Sequence, residues 1–578
     1  MYKKKSILCK ITSIVILILF VFSFLDLNAV ASAEDTGDSK LIRQTTAGTI
    51  EGTTDSNNTL VWRGIPYATP PAGDLRWKAP QEPTPWTGIK NTTSFGNSSV
   101  QCGTGNQIAG SEDCLYLNVW RPDTTETNLP VVVEIYGGAN TYGSSSNPIY
   151  WGDNLAHKAN AIVVTINYRL GILGWFANDA LKTGDPLTDS GNFGLLDIIK
   201  ALKWVNKNIS NFGGDPGNVT VSGESAGGFN TLALLLSPEA KGLFHKAAVR
   251  SAIPQGIPMD LAKVASNNFI ASLLVQDGLA ADTTSAQLKM LGMSKQQISA
   301  YLMSKTPEEL MKQYTSSPMM GMYIWPTNYS DGTVIVPEGH LAFALGTYPN
   351  KVPLMIGSTK DEVKLFLSML GGLDKDPTVY GPVTKHVNLL WKAMGVDDIA
   401  NNIASKWFYP PVYAYEFNWG TIEADGSSVL PGDKGYKYGA MHGLDIFFYM
   451  GNIDLIANAP VEDANPYSGL FTTENLPGAQ ALSNTIIDYF AKFIRTGDPG
   501  KGLSNTAVEW KRWCSFNGWD KAIIQDATLT NTNIKMVNTE LKISDVVGNI
   551  LSQPQKVIDI VKRLIDSLGG GLGGLLQQ

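Results

Sequence analysis

Histidine is scarce in this chain: five residues among 578, scattered, with no metal-binding motif and no dinucleotide fingerprint around them. Neither a metal nor an organic cofactor is therefore expected. Basic residues are not gathered into a stripe either. With 45 Lys and Arg against 52 Asp and Glu, the net charge is -7 and the pI about 5.4. No surface that could neutralise a phosphate backbone is legible, which argues against nucleic acid as a partner. No internal repeat is evident. The 43% hydrophobic and 17% charged residues are the balance of a folded protein, and the length suits one large domain or two ordinary ones.

A long apolar run is missing as well. The stretch from Ile11 to Leu25 has about 15 residues where a membrane-spanning helix needs about 20. It follows Lys3, Lys4 and Lys5 and precedes Ala31-Ser32-Ala33, an A-x-A cleavage site, so residues 1–33 read as a secretory signal. The mature, exported chain is expected to begin near Glu34. Cysteines number only four, and Cys9 would leave with the signal. Cys102 and Cys114 lie close enough in sequence to bridge, and the oxidising environment of an exported protein would preserve the bond. Closing so short a loop would contribute about 3 kcal/mol.

From about residue 130, β-branched runs alternate with longer amphipathic ones, the pattern of an α/β fold with a largely parallel sheet. VVVEIYGG (131–138), AIVVTINY (161–168), VPLMIG (352–357) and VYAYEFNW (412–419) read as strands. Residues 194–210 place Leu195, Ile198, Ile199, Leu202 and Val205 at helical spacing. This body is expected to span 34–540. In the remaining 541–578, Val557, Ile558, Ile560, Val561, Leu564, Ile565 and Leu568 form one apolar face ahead of GGGLGGLLQQ. That segment reads either as a helix packed on the body or as an anchor for surface or envelope association.

Gly223-Glu224-Ser225-Ala226-Gly227 fits G-x-S-x-G, in which a tight strand-to-helix turn presents a serine hydroxyl. The context matches: a β-branched strand, Val219–Ser222, enters the turn, and small residues followed by Leu232, Leu234 and Leu235 continue as a helix. A helix N-terminus beside the nucleophile favours an oxyanion, with the Ala226 N–H as one donor. Gly137-Gly138-Ala139, after the strand VVVEIY, supplies the loop for the others, assigned to Gly138 and Ala139. A serine needs a base, and the base a carboxylate to orient it. Chain order in this architecture is Ser, acid, His, which leaves His340, His386 and His442. His442 in GAMHGLDIFF is the best candidate, beside a glycine that suits a loop tip. The turn after VPLMIG offers both Asp361 and Glu362, and spacing does not separate them.

Together these residues resemble the type-B carboxylesterase/lipase family, over about residues 43–535. FGGDPGNVTVSGESAG (212–227) is similar to that family's serine signature and SEDCLYLNVW (111–120) to its second, cysteine-containing signature. WRGIPYATPPAGDLRWKAP, NYRLGILGWF, GNFGLLDIIKALKWV and FAKFIRTGDP resemble further family blocks. The resemblance implies the α/β-hydrolase fold and a serine carboxylesterase acting on small-molecule esters, with Glu362 as the acid and His442 as the base. It also implies structural ion pairs Arg76–Glu112 and Arg169–Asp197, and a buried Glu224 that adds negative potential near the histidine. Two departures stand out: Ala139 replaces the third glycine of the usual loop, and Asn140 stands where an aromatic residue is common. The stretch between Cys102 and Cys114 lacks the tryptophan with which cholinesterases contact choline, so choline esters are not the expected substrates. Interfacial lipases and aryl-polyester or carbamate hydrolases would use the same triad; a non-catalytic esterase-like binding protein would have lost it.

Overall fold

The computed structural model describes residues 40–103, 107–314, 322–370, 372–458, 465–516 and 518–567. The chain divides into two compact units, Met1–Ile42 and Arg43–Gln578. Of the first, only residues 40–42 are described, so the expected signal segment 1–33 lies outside the described residues.

The second unit is built on an 11-stranded sheet. In chain order its strands are β1 (Thr53–Asp55), β2 (Thr59–Pro66), β3 (Tyr116–Pro122), β4 (Leu129–Ile135), β5 (Ile162–Ile166), β6 (Gly214–Glu224), β7 (Lys246–Arg250), β8 (Leu354–Thr359), β9 (Val412–Phe417), β10 (Ala522–Gln525) and β11 (Lys535–Val537). Across the sheet they run β1-β2-β3-β5-β4-β6-β7-β8-β9-β10-β11. From β5 through β4 to β10 every pairing is parallel; the outer pairs are antiparallel. The expected α/β-hydrolase architecture is what the chain adopts.

The composition of the central strands follows from their place. In β4 (LPVVVEI) and β5 (IVVTI) every residue is buried, because helices cover both faces of a parallel sheet and alternation gives way to continuous apolar runs. Among the helices, α1 (Phe193–Asn208) turns Leu195, Ile198, Ile199, Leu202 and Val205 inward, as their spacing requires. The helices that matter for the site are α2 (Ala226–Leu235) after β6, then α3 (Val363–Leu370) and α4 (Pro377–Lys392) after β8. The Arg76–Glu112 and Arg169–Asp197 ion pairs both form, at 2.6 and 2.7 Å.

One expectation changes. Cys102 and Cys114 are not bridged; each is a buried free thiol. The loop between them is closed by main-chain pairing instead, with Gln101 opposite Ala109 and Cys102 opposite Ile108. Cys102 packs in an apolar cluster with Trp77, Ile172 and Phe269, whereas Cys114 sits beside Ser99 and the Arg169–Asp197 pair. Burial pushes the Cys114 thiol up to about 12, which keeps it protonated and unreactive.

The C-terminal segment, read either as a packed helix or as an anchor, belongs to the same compact unit as the body. Its helices α5 (Ile543–Leu551) and α6 (Gln555–Ser567) pack on α4 and bury Val546, Ile550, Val557, Ile558, Val561, Leu564 and Ile565 there. The apolar face read from the sequence is therefore covered by protein. Residues 568–578, with the Gly/Leu run, lie outside the described residues. Among the described residues no helix is long and apolar enough to cross a membrane.

Candidate active site

The C-terminal ends of the parallel strands gather the expected site residues, the edge where open α/β sheets place their chemistry. Ser225 follows β6 directly and caps α2, with φ 56° and ψ −123°. Positive φ in a residue with a side chain costs about 1–3 kcal/mol and marks the strained turn that lifts a hydroxyl clear of the sheet. The Ser225 N–H donates to the Arg250 carbonyl on β7 at 3.0 Å, which pins the turn from the neighbouring strand. Gly227 has no room for more: a Cβ there would stand 1.9 Å from the Ile135 carbonyl oxygen at the end of β4.

That same strand end leads into the Gly-rich loop. Gly138 has φ 114°, and a Cβ on it would lie 2.2 Å from the Tyr142 carbonyl oxygen. Ala139 and Asn140 follow at φ 55° and 58°, a run of left-handed residues of which only asparagine adopts the conformation readily. The loop faces the nucleophile turn closely: a Cβ on Gly137 would lie 2.9 Å from the Cβ of Ser225. Ala226 opens α2 with no solvent exposure. The backbone groups expected as oxyanion donors thus come from two elements that meet beside Ser225.

The residues expected as acid and base come from the loops after β8 and β9. Glu362 stands after β8, fully buried, with Oε1 accepting from the Thr359 N–H at 2.8 Å and Oε2 2.5 Å from His442 Nδ1. Asp361 turns elsewhere: its carboxylate accepts from the Ala440 N–H at 3.0 Å and pairs with Lys364. Between the two carboxylates that spacing left open, Glu362 is the one that meets the histidine. His442 lies in the loop after β9, its carbonyl held by the Tyr467 hydroxyl at 3.1 Å and its ring packed against Phe366 and Trp391 at 5.0 and 5.4 Å. Of the other histidines, His386 sits within α4 and His245 accepts from the Val219 N–H at 3.1 Å; neither approaches Ser225 through these contacts.

Ser225 and His442 are not hydrogen-bonded to each other. His442 Nε2 instead faces Glu224 Oε1 at 3.3 Å, without hydrogen-bonding alignment. Such bonds commonly tighten only when substrate binds. Burial alone would lower the imidazole pKa, but the carboxylates of Glu224 and Glu362 outweigh it and hold His442 above its ordinary value. Burial raises Glu224 in turn, and the His442 charge opposes that rise.

One member of this charge cluster escaped the sequence reading. Asp445, one turn beyond His442, is fully buried, accepts from the Tyr415 hydroxyl at 2.8 Å and lies in the field of Arg250. Arg250 itself forms a buried ion pair with Glu134 on β4. The signal was present: an aspartate inside the apolar run DIFFYM has no structural excuse unless a buried partner meets it. A cavity of about 350 Å³, lined by Lys364, Tyr380, Thr384, Asn388 and Lys392 among others, lies on the far side of the acid loop and includes neither Ser225 nor His442.

Comparison with known proteins decides the family. A profile described as the carboxylesterase family matches residues 39–401. The para-nitrobenzyl esterase of Bacillus subtilis is 33% identical over 84% of this chain and 95% of its own length. This chain belongs to the carboxylesterase family. Carboxylesterase 1D of Rattus norvegicus is 32% identical over 76% of this chain and 82% of its own length. A solved para-nitrobenzyl esterase superposes with a TM-score of 0.64 at 31% identity, covering 86% of this chain and 98% of that one. The protein is accordingly a carboxylic ester hydrolase of the α/β-hydrolase fold.

Proposed function

We propose that this carboxylesterase works through an acyl-enzyme on Ser225, with His442 as general base and Glu362 as the residue that orients it. The observation carrying this reading is the 2.5 Å contact between Glu362 Oε2 and His442 Nδ1, two residues 80 positions apart, at the strand ends beside Ser225. His442 takes the Ser225 proton as the hydroxyl attacks the ester carbonyl. The N–H groups of Gly138, Ala139 and Ala226 receive the oxyanion. The imidazolium then protonates the departing alcohol, and a water activated by the same histidine releases the acid. Glu362 keeps the tautomer that leaves Nε2 free to accept, and does not itself take the proton.

The substrates proposed are small-molecule carboxylic esters. The test compares p-nitrophenyl butyrate hydrolysis by the enzyme and by Ser225→Ala, with circular dichroism verifying equal folding. Loss of at least about a thousandfold is expected; retained turnover would move the nucleophile elsewhere. Export is proposed on the N-terminal pattern of Lys3–Lys5, an apolar stretch and Ala31-Ser32-Ala33. N-terminal sequencing of secreted protein should begin near Glu34, and a full-length cytoplasmic product would refute it.

A further inference from the structure

Asn140 and Asn230 form a closed amide pair behind the nucleophile. Asn140 Nδ2 donates to Asn230 Oδ1 at 3.2 Å, and Asn230 Nδ2 donates back to Asn140 Oδ1 at 2.8 Å. Neither residue has any solvent exposure. Both amides make further buried contacts. Asn140 Nδ2 also donates to Thr327 Oγ1 at 3.2 Å, the Tyr168 hydroxyl donates to Asn140 Oδ1 at 3.2 Å, and Asn328 Nδ2 donates to Asn230 Oδ1 at 3.1 Å. The Asn140 carbonyl accepts the Gly171 N–H at 2.7 Å.

The position of the pair gives it a task. Asn140 follows Ala139 in the loop whose φ angles of 114°, 55° and 58° must be held against their strain. Asn230 lies four residues, about one helical turn, beyond Ala226 in α2. One partner therefore belongs to each of the two elements that supply oxyanion donors. Stabilising a tetrahedral oxyanion requires donors from both elements at hydrogen-bonding distance from a single point, so the spacing between loop and helix must be fixed before the substrate arrives. A surface contact could not fix it; a reciprocal, water-excluded amide pair can, because losing either partner leaves buried polar groups unsatisfied.

We infer that the Asn140–Asn230 pair is a positioning clasp that sets the distance between the Gly138–Ala139 loop and the nucleophile helix, and so tunes transition-state stabilisation without touching substrate. This rests on the Ser225 reading above. An aromatic side chain at position 140 would occupy space there without a directional tie to α2.

The test measures kcat and KM on p-nitrophenyl butyrate for Asn230→Ala, Asn140→Gly and the double variant, per active site titrated with a fluorophosphonate. It adds the inhibition constant of an aliphatic trifluoromethyl ketone, whose serine adduct places an oxyanion in the same position. Asn230→Ala should lower kcat about tenfold to a hundredfold, the scale of a misplacement near 1 Å, with KM within about threefold. Ketone affinity should weaken by the same factor as kcat/KM. The double variant should be no worse than the poorer single, since the two act as a unit. Glycine is chosen at 140 because it keeps the positive φ. If Asn230→Ala does not yield soluble protein, Asn230→Ser, which retains a small polar group, is measured in the same way. Full kcat per titrated site with unchanged ketone affinity, or losses that multiply in the double variant, would overturn the clasp while leaving Ser225 in place. An inactive wild type or an active Ser225→Ala would overturn both readings.

Discussion

The two halves of the active site are held by different physics. Around Ser225 and the 137–140 loop, position is set by backbone: four consecutive strained or glycine positions, Ser225 itself at φ 56°, and close approaches that leave no space for a Cβ. Around Glu362 and His442 positive φ is confined to two glycines, Gly439 and Gly443, and the functional side chains themselves are positioned by buried charge. Glu362, Glu224, Asp445 and His442 share a region almost without solvent exposure, with Arg250 as the cation opposing the buried carboxylates. The first half should fail by steric insult and the second by loss or gain of a charge.

Substitutions can break that contrast, starting with the largest effect. Gly227→Ala should prevent accumulation of folded enzyme, because the new methyl meets a backbone carbonyl at 1.9 Å and backbone yields poorly. Soluble yield and thermal denaturation measure this; a folded, active variant would show that the turn is more pliant than its geometry. Glu362→Gln should fold normally yet lose about 10³–10⁴ in kcat, since an amide no longer selects the productive tautomer. Retention of turnover would shift the orienting role to Glu224.

Glu224→Gln probes the charge coupling by pH. The base must be neutral to accept the serine proton, so kcat/KM falls on the acid side as His442 protonates. Because the Glu224 carboxylate helps raise the His442 pKa, removing its charge should move this acid limb to lower pH. A limb that stays in place, or moves up, would mean that Glu224 carries no charge in the working enzyme. The smallest effect belongs to the outer support. Ile550→Val, in the helix α5 that covers α4, should cost about 1 kcal/mol of stability in denaturant titration and leave the pH–rate profile unchanged. A shifted profile would extend the charge-held half of the site as far as the C-terminal segment.

The same contrast explains what was legible. The nucleophile turn and the Gly-rich loop are contiguous strings whose backbone demands small residues, so G-x-S-x-G and Gly137-Gly138-Ala139 announce themselves. Acid and base lie 80 residues apart, and the side chains of Asp361 and Glu362 are equivalent until folding turns one toward Lys364 and the other toward His442. Asp445 was overlooked because its partners come from β7 and β9. The Cys102–Cys114 bridge was expected from sequence proximity and an oxidising, exported setting, but hairpin pairing puts Cys102 in an apolar cluster that Cys114 does not share.

Sequence alone determined the α/β class, the central strands, the identity of the nucleophile candidate and the family, since local backbone requirements and burial periodicity are written along the chain. Spacing left Asp361 and Glu362 open and the family resemblance pointed to Glu362, which folding brings to His442; tertiary structure alone decided that the two cysteines stay apart, that the C-terminal apolar face is covered by α4, and that Asn140 is paired with Asn230. Each of these depends on side chains from distant segments competing for one buried space, where a polar group must find its partner within about 3 Å or bear the cost of desolvation.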